Sequence, residues 1–94
     1  MKTLAILFLR LPGSSEAAKE IRRVSVASTS LASVGYDPGA RILEVEFRSG
    51  AVYRYFGVPD TVHRDFMAAE SKGRFFTQRI RGAFRFAKIG DPRP

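Results

Sequence analysis

Apolar and polar residues alternate most clearly in the middle of the chain. Ala32, Val34 and Tyr36 alternate with Ser33 and Gly35, the period-two pattern of a half-buried strand. Asp37-Pro38-Gly39 then reads as a turn, in which proline fixes φ and glycine supplies the positive φ of a type II turn. From Arg41 to Phe47, Leu43, Val45 and Phe47 alternate with Glu44 and Glu46, and a third strand runs from Ala51 to Phe56. A two-residue loop at Ser49-Gly50 would set Val45 against Arg54 and Glu46 against Tyr53. A three-residue loop with Gly50 as the left-handed bulge residue instead sets Phe47 against Ala51, Val45 against Tyr53, Leu43 against Tyr55 and Glu44 against Arg54. The second register satisfies both faces, and a one-residue slip would invert every side chain, so it is preferred.

The pattern changes after Val58-Pro59. Pro59 suits a first helical residue, and Asp60 puts a negative charge near the helix N-terminus. Val62, Phe66 and Ala69 give this helix an apolar face. Ser71 caps a second helix with Phe76 and Ile80 four apart, Gly73 weakening its start and Gly82 as its stop. A short final strand holds Phe84 and Phe86, and Pro92 and Pro94 close the tail. The fold class is therefore α+β: an antiparallel sheet of three to four strands with two C-terminal helices packed on one face.

Residues 1–23 read as an N-terminal extension or linker, with a short strand as an option, 24–90 as the domain and 91–94 as a tail. The apolar run Leu4 to Leu9 is broken by Arg10 and followed by Pro12-Gly13, which suits an edge strand, or a stretch read upstream of the true start, better than a secretory signal. It is too short to cross a bilayer, so a membrane is an unlikely partner. Ser15 can cap a weak helix over Glu16 to Arg23, although no apolar stripe runs along it; ordered structure is expected from about Val24.

Composition narrows the function classes. The 94 residues fit one domain, and the absence of cysteine excludes disulfides and thiolate zinc sites and suits the cytoplasm. Sixteen Lys and Arg against nine Asp and Glu give a formal net charge of +7, which attracts polyanions and also aids solubility.

Three groups of residues invite a chemical reading. Tyr53 and Tyr55 point to the same side of their strand, where they either stack on unpaired bases or sit in the core with their hydroxyls at a polar edge. The segment Ser71 to Lys88 carries Lys72, Arg74, Arg79, Arg81, Arg85 and Lys88 without an acid, interleaved with Phe75, Phe76, Phe84 and Phe86. Cations among aromatics can track phosphates, and Ser71-Lys72-Gly73-Arg74 opens a helix whose N–H groups favour an anion. The alternative is an amphipathic stretch with its phenylalanines in the core and its arginines solvated. His63, the only histidine, reads as an exposed helix-surface residue, and Glu44 and Glu46 as a solvated face paired with Arg54. No catalytic, metal or cofactor motif occurs.

The stretch from about Val26 to Ile89 resembles the KTSC domain, named for the C-terminal extension of some lysyl-tRNA synthetases and found also as small stand-alone bacterial proteins. The resemblance rests on Ser28 and Ser30 ahead of Val34-Gly35-Tyr36-Asp37, on Leu43, Val45, Phe47 and Gly50, on Tyr53-Arg54-Tyr55, on Val58-Pro59, and on Ser71-Lys72-Gly73-Arg74-Phe75-Phe76 with Ile80. Phe84 and Phe86 stand where tyrosines would be expected. The resemblance implies no cofactor and no chemistry; RNA binding is proposed for such domains from the synthetase context. The leading expectation is a non-enzymatic RNA-binding module in which Arg74, Arg79, Arg81 and Arg85 neutralise phosphates, Lys72 and Lys88 lie at the margins, and Tyr53 or Tyr55 stacks on a base if exposed. The rival is a protein-interaction module that docks on an acidic partner or self-associates. A third reading is a peripheral membrane protein using residues 4–11.

Overall fold

In the computed structural model the described residues are 20–91. The apolar run at 4–11, residues 12–19 with the first half of the expected weak helix, and the prolines of the tail lie outside them.

The central hairpin forms as its side-chain pattern requires. Strands β3 (Ile42–Phe47) and β4 (Val52–Phe56) pair with Leu43 opposite Tyr55, Glu44 opposite Arg54 and Val45 opposite Tyr53. Gly50 sits at φ 100°, and its N–H donates to the Phe47 carbonyl while the Phe47 N–H donates to the Ala51 carbonyl. That is the three-residue loop, and glycine stands where a side chain would be strained.

Strand β2 (Leu31–Asp37) lies on the other side of β3, with Val34 opposite Val45 and Tyr36 opposite Leu43. The register shifts between Leu31 and Ser33, so Ala32 is the extra residue of a bulge and Leu31 takes the buried position. The turn after β2 differs from the type II turn expected. Gly39 does not carry the positive φ; Arg41 does, at 58°. The Asp37 carboxylate accepts from the Gly39 and Ala40 N–H groups at 3.0 and 3.3 Å, and this side-chain-closed turn moves the left-handed residue to the start of β3.

Two further strands bring the sheet to five, in the order β1-β2-β3-β4-β5, where three or four were expected. β1 (Arg23–Ser25) pairs with β2, so Arg23, expected at the end of a weak helix, lies in a strand instead. β5 (Arg85–Gly90) pairs with β4. All neighbours are antiparallel.

Helix α1 (Asp60–Ala68) follows an extended Pro59, which is the cap and not the first helical residue: its ψ is 153°. Helix α2 is a single turn, Lys72–Phe75, continued by a π-helical turn at Phe76–Ile80. Ser71 caps α2 by accepting the Arg74 N–H at 3.2 Å. The π turn closes with the Arg81 N–H on the Phe76 carbonyl, a five-residue step that still leaves Phe76 and Ile80 buried. Gly73 has a role beyond its low helix propensity, because a Cβ there would stand 2.8 Å from the Ser30 hydroxyl oxygen.

Phe66 of α1 and Phe76 and Ile80 of the π turn join Leu31, Val34, Leu43, Val45 and Tyr55 in one buried cluster. Phe66 is wholly inaccessible, and such a side chain contributes about 2–3 kcal/mol by leaving water.

Candidate functional site

Pairing and the two-residue period sort the sheet into two faces. Val34, Leu43, Val45, Tyr53, Tyr55 and Phe86 share one. Ser33, Gly35, Glu44, Glu46, Arg54 and Arg85 share the other.

The first face carries an open pocket of about 540 Å³, walled by Phe47, Tyr53, Tyr55, Phe76 and Phe86, with Arg81 and Gly82 beside it and Ser30, Ser49 and Ala51 completing the lining. The rings support one another. Phe76 meets Phe47 and Tyr55 edge-on at 5.3 and 5.5 Å between centroids, and Phe86 tilts against Tyr53 and Tyr55 at 5.8 Å from each. Tyr55 and Phe76 are buried, whereas Phe86 keeps 58% of its surface exposed. Phe86 therefore departs from the expected core position. Its strand is the edge of the sheet formed by the described residues.

Arg81 leaves the π turn with an extended backbone, followed by Gly82 at φ 79°. Its guanidinium lies over the Phe76 ring, 5.5 Å from the centroid. Burial raises the Tyr55 pKa above its ordinary value, Tyr53 adds to the rise and Arg81 opposes it, so at neutral pH the hydroxyl keeps its proton. The site thus offers aromatic faces, hydroxyls and one cation, and among the described residues no lining residue is acidic.

Of the residues singled out in the sequence, the structure brings Tyr53, Tyr55 and Arg81 together at this pocket. Lys88 is opposite Tyr53 in the register but is ion-paired with Asp91 at 2.8 Å, a hydrogen bond that raises its pKa. Arg79 is exposed and lies over Phe75 at 5.1 Å. Lys72 donates to the Ala69 carbonyl. Arg74 is exposed, but its N–H is taken by Ser71, and α2 is too short to offer the anion-binding helix terminus expected there. Arg85 stacks on Phe56 at 5.4 Å on the opposite face. The six cations do not share one surface. The pocket walls Phe47, Phe76 and Phe86 were absent from the candidate residues, because Phe taken singly in sequence reads as core.

The opposite face is not the solvated surface expected. Glu44 is 5% exposed and Arg54 3%. One Glu44 oxygen accepts from Arg54 Nε at 2.7 Å and the other from Arg23 at 2.9 Å. Ser33 donates to Glu46 at 2.7 Å. Gly35 makes this burial possible: a Cβ there would strike the Arg22 carbonyl and the Ile21 side chain, so the incoming chain crosses the sheet where glycine leaves room.

His63 is half-buried and stacks on Tyr36 at 4.4 Å, correcting the exposed position expected for it. Desolvation lowers its pKa, with Asp60 opposing. Tyr36 in turn donates to the Val58 carbonyl. Among the described residues no group of three His, Cys, Asp or Glu is placed to hold a metal ion, and no helix is long and apolar enough to cross a membrane.

The chain is similar to several known proteins. A KTSC domain protein from Yersinia pestis, known as a crystal structure, matches 76% of this chain and 100% of its own with 48% identity and a TM-score of 0.73. An uncharacterised protein of Stutzerimonas stutzeri is 53% identical over 58 residues, which are 62% of this chain and 82% of the relative. A lysine–tRNA ligase of Nostoc punctiforme is 43% identical over 54 residues, 57% of this chain but 10% of the ligase. The KTSC domain model itself matches residues 27–84, and the chain belongs to the KTSC domain family.

Proposed function

We propose that this chain is a non-enzymatic module that binds single-stranded nucleic acid, RNA in the first place, through the aromatic pocket face. The observation that carries the reading is the pocket itself: five rings, one of them 58% exposed, beside an arginine and, among the described residues, without a carboxylate in the lining. Aromatic faces stack on unpaired bases, and guanidinium groups neutralise phosphates. The net charge of +7 favours a polyanion at long range. The lysine–tRNA ligase that carries a similar segment over a tenth of its length adds an RNA context. In this reading the two helices cover the rest of the same sheet face, Arg81 makes the first phosphate contact, and Arg79 and Arg74 extend the path along the helical segment. Tyr53 and Tyr55 form the floor and Phe86 the stacking platform. The cysteine-free, basic composition suits a cytoplasmic ligand.

A second reading, a protein partner, is favoured by one feature: β5 is an edge strand on which Phe86 and Ile89 are 58% and 43% exposed. Such an edge can accept a strand from another chain.

Filter binding of tRNA at several salt concentrations separates the two. Nucleic-acid binding should weaken log-linearly with salt, with a slope of roughly −0.7 per neutralised phosphate in single strands. No retention at low salt would overturn the nucleic-acid reading.

A further inference from the structure

We infer that the aromatic pocket is a subsite for one unpaired nucleotide, its base stacked on Phe86 and its phosphate held by Arg81. This rests on the nucleic-acid reading and names the unit recognised. The volume of about 540 Å³ lies within the range of small-ligand sites and leaves room for one nucleotide. Within it the rings are unequal. Tyr55 and Phe76 are 5% and 3% exposed and already packed against their neighbours. Phe86 is 58% exposed, tilts against both tyrosines at 5.8 Å, and is the most open of the five rings, since Phe47 and Tyr53 are partly buried.

The polar groups fit the rest of a nucleotide. Arg81 is exposed, held over Phe76, and forms no ion pair with any described carboxylate. Ser30 and Ser49 line the same hollow with neutral hydroxyls. An acid in the lining would repel a phosphate, and among the described residues none lines it. A base inside a duplex has both faces stacked and cannot offer one to Phe86, so the unit must be unpaired. A planar aromatic ring joined to an anion comes either as a residue of a strand or as a free mononucleotide, and the test separates these sources.

The full chain, isotopically labelled, is titrated with adenosine 5′-monophosphate and with adenosine while backbone amide resonances are followed. Both ligands should shift Phe86 and Tyr53, and the phosphate should tighten binding at least about fivefold, with Arg81 shifting for the monophosphate alone. Arg81→Gln should bring the monophosphate down to the affinity of adenosine. Phe86→Ala should weaken both by about tenfold, within the range for loss of one base–aromatic stack. Both residues are exposed, so the variants should fold, and an unchanged amide spectrum away from the pocket checks this. A short unpaired oligoadenylate and a blunt duplex of equal length form the second arm, and the unpaired strand should bind more tightly. If the unpaired oligoadenylate binds more tightly than the duplex and shifts the pocket amides while the monophosphate leaves them unshifted, the nucleotide subsite is wrong and the nucleic-acid reading stands. If the monophosphate shifts the pocket and no RNA is retained, the subsite stands and serves a free nucleotide. If neither binds, both fall.

Discussion

Glu44 holds a guanidinium on each of its carboxylate oxygens, Arg54 from the neighbouring strand and Arg23 from the sheet edge. The first partner was legible from the hairpin register, since opposite charges face each other there. The second was not, because Arg23 belongs to a three-residue strand with no alternation to mark it. Nor was the burial legible: it arises where the chain at Ile21 and Arg22 crosses Gly35, a contact made by folding and not by spacing. Removing Glu44 takes its carboxylate from Arg54, which is 3% exposed, while Arg23 keeps access to solvent, so the loss falls at the lower end for a buried ion pair, about 3 kcal/mol. Glu44→Ala should therefore lower the urea midpoint steeply with little change in slope, and a midpoint close to that of the parent would contradict the triad's role. His63 makes a separate prediction. Desolvation holds its folded pKa below the ordinary value of about 6.5, so the unfolded chain binds the proton more readily. Its contribution to stability is complete above that pH and is lost as the pH falls below it. Thermal midpoints measured between pH 7.5 and 5.5 should fall on acidification, and His63→Phe, which keeps a ring on Tyr36, should flatten the fall.

At the scale of elements, the β3–β4 hairpin was the most legible part of the fold. Its side-chain alternation, its cross-strand charges and Gly50 all agree on one register, and the structure has that register. Gly50→Ala should cost about 1–2 kcal/mol for the left-handed conformation, read as a lowered unfolding midpoint. The helices were legible in position but not in form. Ser71 caps as expected, yet the expected second helix is one α turn followed by a π turn, in which Phe76 and Ile80 are both buried. The edge strands were the least legible. The sequence places Phe86 in a final strand but not at the edge of the described sheet with 58% of its surface exposed, and Phe84, expected in the same strand, precedes it. Since Phe86 contributes little to the core, Phe86→Ala should leave stability within about 0.5 kcal/mol while weakening ligand binding. A large stability loss would place the ring in the core instead.

For the whole molecule, the surplus of positive charge is plain from composition, but where it points is decided by pairing. Tyr55 lies opposite Phe86 and Phe56 opposite Arg85, and this alternation turns Arg85 to the face away from the pocket. Six cations near one another in sequence are thus divided, with Arg81 left at the pocket and Lys88 bound to Asp91. The account predicts that the location of a cation, and not the total charge, governs nucleic-acid binding. The most direct measurement is the salt dependence of single-stranded RNA affinity for Arg81→Gln beside Arg85→Gln, two variants of equal net charge. Loss of Arg81 should lower the affinity and make the log–log slope shallower by about 0.7, the share of one phosphate contact, while loss of Arg85 should leave both as in the parent. Equal effects from the two variants would contradict the account and leave only a diffuse attraction between opposite charges.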